Sequence, residues 1–493
     1  MHVFLSEMEK NYLSRVVWIV LASLLALLCM FWLPGICVGD WKMRKVDMLS
    51  DLRSDSALYQ LAASDSLVAQ VVAADSHLAE IVENHKSKAP VIEGSHLTHD
   101  SNGNVVTVED STINARAQRT VNREGVTSII DMSNGGNGGM AAFYHALDQA
   151  GSRPVHIAVL GDSFIEGDIL TSMLRELLQQ RFGGCGVGYL PITSITADIR
   201  NTVKQTFGGW NQHKAVDKGG YSETYNNLTG NYFTASQGAW VNLVGRGGNY
   251  SRCASCTSSS FYFFGTTGAG YATAVVNGTD TTHFALNTGT LIGHAKVTGD
   301  IRSVRWSVTN PESMVFLGAS MDSETGVMVD NYAMRSARGS HLSKITPQVM
   351  SMLNKARHYD LVILMYGLNV AEANRSVYTP YSNSIIAAVN NIKDNMPGTS
   401  VLIVGCSDRE ERFSGGWRTM KGVLGLIQAQ KRAAIESGVA FWDMYTAMGG
   451  EGSIVEMVKH GEANSDYTHI NSRGGNRIAR YLYDALMLGY ENR

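Results

Sequence analysis

Apolar residues from position 155 onward alternate between short continuous runs and stripes at helical spacing. Runs typical of buried strands occupy residues 155–160, 361–365, 401–406 and 439–443. Stripes typical of helices occupy residues 169–181, 380–394 and 423–436. Apolar strands separated by helices predict an α/β fold, with a parallel sheet covered on both faces. Active sites of such sheets form at the carboxyl ends of the strands.

A second pattern fills residues 200–330. Short apolar stretches recur there at roughly ten-residue spacing, separated by Gly, Asn and Thr and with almost no helical period; they are 240–244, 261–264, 271–276, 304–308 and 314–317. This texture predicts a β-sandwich. It would be inserted between the two parts of the α/β domain, residues 126–199 and 331–493.

The N-terminal region, residues 1–45, contains an uncharged apolar stretch at 16–34. About 20 apolar residues span a bilayer, so the stretch is just long enough for a transmembrane helix. A cleaved signal peptide is the alternative, but its apolar region is usually about 7–15 residues. We therefore expect an uncleaved anchor. Basic residues flank both ends, so the orientation rests on the short N-terminal tail, which favours a single pass with the large C-terminal part outside the cytoplasm.

Residues 46–125 predict a stalk followed by a linker. Up to about residue 84, apolar positions recur at threes and sevens, as on one face of an amphipathic helix or short coiled coil. The stalk either self-associates through this stripe or is simply solvated. The remaining residues are polar and read as a linker that holds the following domain away from the membrane.

Length and charge narrow the possible functions. At 493 residues the chain is too long for one ordinary core, and its 41 basic and 44 acidic residues include no basic run that would suggest nucleic acid. Cys253 and Cys256 form a Cys-x-x-Cys pair for which a small-loop disulfide is the first expectation. Two free thiols come second and half of a zinc site third, because no second ligand pair is nearby.

Three short motifs carry candidate chemistry. Ser163 follows a predicted strand directly, Asn369 follows another, and Asp466 precedes His469 by three residues near the C-terminus. Each has an ordinary structural explanation: Asp162-Ser163 as a helix cap, Asn369 as a turn former, and His469 as a structural histidine. Together and in this order they supply a nucleophile, an oxyanion donor and a base with its orienting carboxylate. This set predicts a serine hydrolase, with the Ser163 N–H also donating to the oxyanion.

The motifs resemble conserved blocks of the SGNH/GDSL hydrolases, namely Gly161-Asp162-Ser163, Gly367-Leu368-Asn369 and Asp466-Tyr467-Thr468-His469. The longer run from Gly161 to Asp168, Gly186-Val187-Gly188-Tyr189 and Phe441-Trp442-Asp443 are similar to the peptidoglycan O-acetylesterase branch. The resemblance implies a flavodoxin-like α/β/α sandwich with an inserted carbohydrate-binding-like β-sandwich. It also implies a metal- and cofactor-independent reaction that removes O-acetyl groups from a glycan.

Two positions depart from the resemblance. The branch often has His after the nucleophile, where this chain has Phe164. The glycine of the family's block II, whose N–H completes the oxyanion hole, corresponds to Ser336, with Gly339 three residues later as the alternative.

The resemblance leaves two rival functions open. An O-acetyltransferase would use the same triad, and a non-catalytic, membrane-tethered glycan-binding protein would keep only the scaffold. For an esterase with an anchor and linker, the expected location is a bacterial inner membrane, with the catalytic domain facing the periplasm or cell exterior.

Overall fold

The computed structural model describes residues 125–217, 219–265, 270–286 and 292–493, together with the backbone of four short strands nearer the N-terminus. The predicted membrane span at 16–34 and the striped stalk at 46–84 lie outside the described residues. Two of the four short strands lie between these segments. None of the described helices is long and apolar enough to cross a membrane.

The chain divides into two compact units, Met1–Ser111 and Thr112–Arg493. In the first unit, β1 (Cys37–Val38) pairs antiparallel with β2 (Trp41–Lys42), and β3 (Leu97–His99) pairs antiparallel with β4 (Val105–Thr107). All further elements belong to the second unit.

The strands of the second unit are β5 Ile130–Asp131, β6 Pro154–Gly161, β7 Gly188–Pro191, β8 Val203–Lys214, β9 Asn231–Gly245, β10 Cys256–Phe264, β11 Gly270–Val276, β12 Asp280–Leu286, β13 Ile292–Ile301, β14 Ser303–Thr309, β15 Val315–Met321, β16 Gly326–Ala333, β17 Leu361–Met365, β18 Ser400–Val404, β19 Glu410–Phe413, β20 Gly416–Thr419 and β21 Ala440–Trp442. Its α-helices are α1 Met140–Asp148, α2 Thr171–Phe182, α3 Pro347–Ala356, α4 Thr379–Asn395, α5 Lys421–Ser437, α6 Met444–Met448, α7 Ser453–Lys459 and α8 Ser472–Glu491. Four 3₁₀ segments span Ser163–Asp168, Glu223–Tyr225, Ser251–Cys253 and Ser340–Lys344.

A sheet of six described strands forms the centre of the α/β part, in the order β16-β6-β17-β18-β21-β5. Its first five strands are parallel, and β5 pairs antiparallel with β21 at the edge. Numbered by chain order, the parallel strands follow the sequence 2-1-3-4-5. In this topology ligands bind at the switch point between strands 1 and 3. That point lies here at the carboxyl ends of β6 and β17.

The helices pack on the sheet in two groups. Helices α2 and α8 pack together, and α1 joins them through Tyr144, whose ring lies 6.3 Å from that of Tyr490. Helices α3, α4 and α5 form the second group. Right-handed crossovers place the two groups on opposite faces, which buries the strands on both sides. The predicted α/β fold with a parallel sheet is confirmed.

The insert is a single hydrogen-bonded sheet of nine described strands, with β12-β11-β14-β9-β15-β10-β13 as its main path. The sheet folds over on itself, because Trp306 of β14 stacks on Phe261 of β10 although the two strands are not neighbours. Their ring centroids are 5.5 Å apart and Trp306 is fully buried. The insert therefore has two facing layers with an aromatic core.

The insert begins and ends earlier than the predicted 200–330. Strand β7 already pairs with β15 of the insert, while β16 belongs to the parallel sheet beside β6. A short run such as β16, buried along almost its whole length, has no periodicity that separates a sandwich strand from a parallel one. The β-structure of the insert thus runs from residue 188 to residue 321.

Candidate active site

The nucleophile segment starts where β6 ends. Asp162 caps the 3₁₀ segment, and its buried Oδ1 accepts a hydrogen bond from the Phe164 N–H at 3.0 Å. Ser163 is the first residue of that segment, where helical N–H groups lack an intrahelical acceptor. Gly161 is required for this junction, because a Cβ there would lie 2.9 Å from the Met365 carbonyl oxygen of β17. The strand end therefore presents the Ser163 hydroxyl and N–H at the switch point.

Three side chains predicted to react lie in one hydrogen-bonded chain. Ser163 Oγ is 3.0 Å from His469 Nε2, and His469 Nδ1 is 2.8 Å from Asp466 Oδ2. The carboxylate fixes the proton on Nδ1, which leaves Nε2 to accept the serine proton. This is the geometry of a Ser-His-Asp triad, which cleaves esters through an acyl-enzyme.

The loop that carries the base is held by its own carboxylate. Asp466 Oδ1 accepts hydrogen bonds from the N–H groups of Thr468 and His469, both at 3.0 Å. Tyr467, which lies between Asp466 and Thr468, adopts a left-handed φ of 54°. Burial raises the pKa of Asp466, but these hydrogen bonds and the imidazole outweigh it, so the pKa lies below its usual range. Asp466 is consequently an anion at neutral pH.

The amide of Asn369 is also brought to the nucleophile segment. Its Nδ2 lies 3.1 Å from Asp162 Oδ2 and 3.1 Å from the Ala337 carbonyl oxygen. Both amide hydrogens are thus directed at protein acceptors. A bound oxyanion would have to take one of them, so the predicted oxyanion role of Asn369 stays a prediction.

Block II lies against the same site. Met334 N–H donates to the Gly161 carbonyl at 2.9 Å, and Ala337 N–H donates back to Met334 at 3.1 Å. Ser336 between them is exposed and has a φ of 63°, in the left-handed region that glycine adopts readily. A glycine at this position would adopt the same conformation without strain. Gly339 instead caps the segment Ser340–Lys344.

Asp162 is the buried carboxyl of the site. Burial raises its pKa to about 6, against the opposing hydrogen bonds from Phe164 and Asn369 and the charge of His469. The sequence motif marked Asp162 only as part of a helix cap. The structure adds its bond to Asn369, which links the nucleophile segment to the loop after β17.

The expected Cys253–Cys256 disulfide is wrong, because both residues are free thiols. Cys253 ends the segment Ser251–Cys253 with its sulfur 4.0 Å from the Gly186 carbonyl, while Cys256 begins β10. Burial raises the pKa of Cys253 to about 12. In the described part of the chain, no cluster of three or more His, Cys, Asp or Glu side chains is arranged to hold a metal ion.

One feature of the site was missed by the sequence reasoning. Strands β19 and β20 form a hairpin whose Trp417 ring stacks on Tyr467 of the base loop, with centroids 4.0 Å apart. A signal was present in the sequence, since Ser414-Gly415-Gly416 between Phe413 and Trp417 is typical of a tight hairpin turn between two short strands.

No protein-family model matches the chain, and no curated protein matches it either. A solved structure described as a peptidoglycan O-acetylesterase in action is similar to it over 74% of this chain and 99% of that chain, with 21% identity and a TM-score of 0.59. A family two carbohydrate esterase from Cellvibrio japonicus covers 59% of this chain and 99% of its own, at 8% identity and a TM-score of 0.26. A lipase/acylhydrolase from Enterococcus faecalis covers 33% of this chain and 77% of its own, at 16% identity and a TM-score of 0.24.

The last two TM-scores are too low to carry weight. The first shows a shared fold over nearly the whole length of the other protein. Within this chain the three motifs meet at the carboxyl ends of β6 and β17. In its motifs and its fold, this chain resembles the SGNH/GDSL hydrolases, and specifically a peptidoglycan O-acetylesterase.

Proposed function

We propose that this protein is a serine esterase that removes O-acetyl groups from a glycan, with O-acetylated peptidoglycan as the substrate. The observation that supports this most directly is the unbroken chain from Ser163 Oγ through His469 to Asp466, with distances of 3.0 and 2.8 Å. The fold shared with a peptidoglycan O-acetylesterase supports the choice of substrate.

The reaction follows from the geometry. His469 Nε2 takes the proton of Ser163 as Oγ attacks the acetyl carbonyl carbon, and the Ser163 N–H stabilises the oxyanion that forms. The bond between the acyl carbon and the sugar oxygen then breaks, and His469 gives its proton to that oxygen, which leaves as a sugar hydroxyl. Water, deprotonated by the same Nε2, then attacks the acyl carbon of the acetyl-enzyme. The bond from that carbon to Ser163 Oγ breaks, Nε2 returns the proton to Oγ, and acetate is released. Asp466 keeps the imidazole oriented throughout.

Acetate release from O-acetylated peptidoglycan and p-nitrophenol release from p-nitrophenyl acetate test the proposal. The wild-type protein is expected to act on both esters, and Ser163→Ala is expected to lose at least about 10³-fold in turnover. Ser172→Ala, at a buried serine of α2 away from the triad, is the matched control. Acetyl transfer to an added sugar instead of water would favour the transferase, and a wild-type protein inactive on both esters would contradict the proposal.

We also propose that residues 16–34 anchor the protein in the inner membrane, with residues 40–493 outside the cytoplasm and the stalk available for self-association. The support is the uncharged apolar stretch at 16–34, which is just long enough to span a bilayer. Alkaline phosphatase fused after Arg493 should be active in cells, and the protein should sediment with membranes until detergent is added. An inactive fusion, or a mature N-terminus beyond Cys37, would contradict this topology.

A further inference from the structure

The hairpin β19–β20 is anchored between the two loops of the candidate active site. Arg409 Nη1 donates to the Leu368 carbonyl at 3.0 Å, directly before Asn369, and Glu410 N–H donates to the Tyr467 carbonyl at 3.1 Å, directly after Asp466. The base of the hairpin therefore touches both the Asn369 loop and the His469 loop.

The base is fixed and the tip is exposed. Met420 N–H closes the base on the Arg409 carbonyl at 2.8 Å, and Thr419 Oγ1 donates to the buried Asp408 at 2.8 Å. From Arg412 to Gly416 every residue is exposed, and Phe413 keeps 42% of its surface accessible. A two-stranded ribbon is only marginally stable alone, so its position depends on this base.

One face of the hairpin carries an ordered stack of side chains. Trp417 lies on Tyr467 with an interplanar angle of 28°, and the Arg412 guanidinium carbon is 5.2 Å from the Trp417 ring centroid. Arg412 and Trp417 are direct cross-strand partners, so both face the same side. The stack thus runs from the base loop of the triad out to an exposed cation.

Arg412 and Arg418 carry the same charge but differ in their ion pairing. Arg418, on the other face, is paired with Glu411 at 2.7 Å. Among the residues that the structure describes, no carboxylate lies within ion-pair distance of Arg412, which is exposed. An unpaired guanidinium beside an aromatic ring is suited to a ligand that combines a flat apolar surface with an anionic group.

We propose that the hairpin β19–β20 is a substrate-binding arm, in which Arg412 and the Trp417–Tyr467 stack contact the acidic glycan chain beyond the acetyl ester. The inference rests on the proposed esterase function. A carboxylate of the substrate pairs with the Arg412 guanidinium, which lies over the Trp417 ring, while the sugar rings contact the parts of Trp417 and Tyr467 that the stack leaves accessible. A small neutral ester fills only the triad and reaches neither group.

The test compares two substrates on each variant. We measure kcat/KM on soluble O-acetylated peptidoglycan fragments and on p-nitrophenyl acetate, and express selectivity as the ratio of the two. Arg412→Gln is expected to lower this ratio about tenfold, the effect of one lost charged contact of moderate strength. Arg412→Lys should recover part of it, because the charge remains. Arg432→Gln, at an exposed arginine of α5 paired with Glu436, is the control and should leave the ratio within about twofold.

Salt provides a second readout that a purely structural role would not change. Screening lengths fall from about 10 Å at 0.1 M to about 3 Å at 1 M salt, so added NaCl should lower the ratio for the wild-type protein and leave it flat for Arg412→Gln. If the selectivity ratio is unchanged in Arg412→Gln while the wild-type protein is active on p-nitrophenyl acetate, the proposal of a substrate-binding arm is wrong. The esterase proposal is not affected by that result. A wild-type protein inactive on both esters overturns both proposals.

Discussion

Asn369 Nδ2 lies 3.1 Å from Asp162 Oδ2, so the residue before the nucleophile is hydrogen-bonded to the last residue of the Gly367-Leu368-Asn369 motif, which follows β17. The same amide reaches the Ala337 carbonyl, which ties block II to this pair. Three segments far apart in sequence are thereby fixed against one another. The geometry at Ser163 depends on this buried carboxyl as well as on the triad itself.

The raised pKa of Asp162 predicts a pH-dependent loss of stability. Because its folded pKa is about 6, above its usual value of 3.8, the carboxyl binds a proton more tightly in the folded state. The contribution of this proton binding to the free energy of unfolding is complete below pH 3.8 and is lost as the pH rises through 6. Relative to Asp162→Asn, which does not titrate, the wild-type free energy of unfolding should fall by up to about 3 kcal/mol over this range.

Urea unfolding of both proteins between pH 4 and 7.5 measures this difference, and other titrating groups cancel between the two. Asp280→Asn, which removes a carboxyl at an exposed position of β12, is measured alongside as the matched substitution. A difference that is flat or rises with pH would contradict the buried, proton-binding Asp162.

Asp466→Asn should remove the orientation of the base. An asparagine has no charge to hold the proton on Nδ1, and its amide can donate a hydrogen bond to Nδ1, so the imidazole is free to adopt the wrong tautomer. We expect kcat on p-nitrophenyl acetate to fall about 10³–10⁴-fold with little change in KM. Steady-state kinetics at pH 7 measure this, since the lowered pKa of Asp466 keeps it ionised there. Retention of more than about a tenth of wild-type kcat would remove Asp466 from the triad.

The parallel sheet could be predicted because its strands and helices carry strong, uninterrupted apolar patterns. The meeting of Ser163, His469 and Asp466 could be predicted because these residues fall at a strand end and in a single short loop. The Asp162–Asn369 bond could not be predicted, because it joins residues 207 positions apart in the sequence. The hairpin contact with Tyr467 could not be predicted either, because it arises from the stacking of two rings and leaves no pattern in the sequence. The insert boundary was misplaced because β16, buried along almost its whole length, has no periodicity of its own.

Ser336→Gly should stabilise the protein. Ser336 holds a φ of 63°, which is strained for a residue with a Cβ and unstrained for glycine. We expect a gain of about 0.5–1 kcal/mol in the free energy of unfolding with esterase activity retained, because the block II backbone keeps its path. Ser340→Gly, at the exposed first residue of a 3₁₀ segment, is the matched control and should lose stability. Equal losses in the two variants would show that Ser336 is not strained.

Arg357 joins the insert to the α/β part through a buried ion cluster. Its guanidinium lies 2.6 Å from Asp322, just after β15, and 2.5 Å from Asp330 on β16, and all three side chains are buried. Arg357→Met would leave both carboxylates without their cation, which typically costs about 3–5 kcal/mol. We expect this loss in denaturant unfolding monitored by tryptophan fluorescence, since buried Trp306 and Trp442 report on the insert and on the α/β part respectively.

Arg302→Met is the matched control for this loss. Arg302 faces Asp300 at 3.6 Å with both side chains exposed, so its removal should cost less than about 0.5 kcal/mol. The chemistry of the two substitutions is identical, and only burial differs. If Arg357→Met and Arg302→Met destabilise the protein equally, the buried cluster does not hold the insert in place. If the large loss is found together with unchanged activity on p-nitrophenyl acetate below the unfolding transition, the cluster stabilises the junction without shaping the triad.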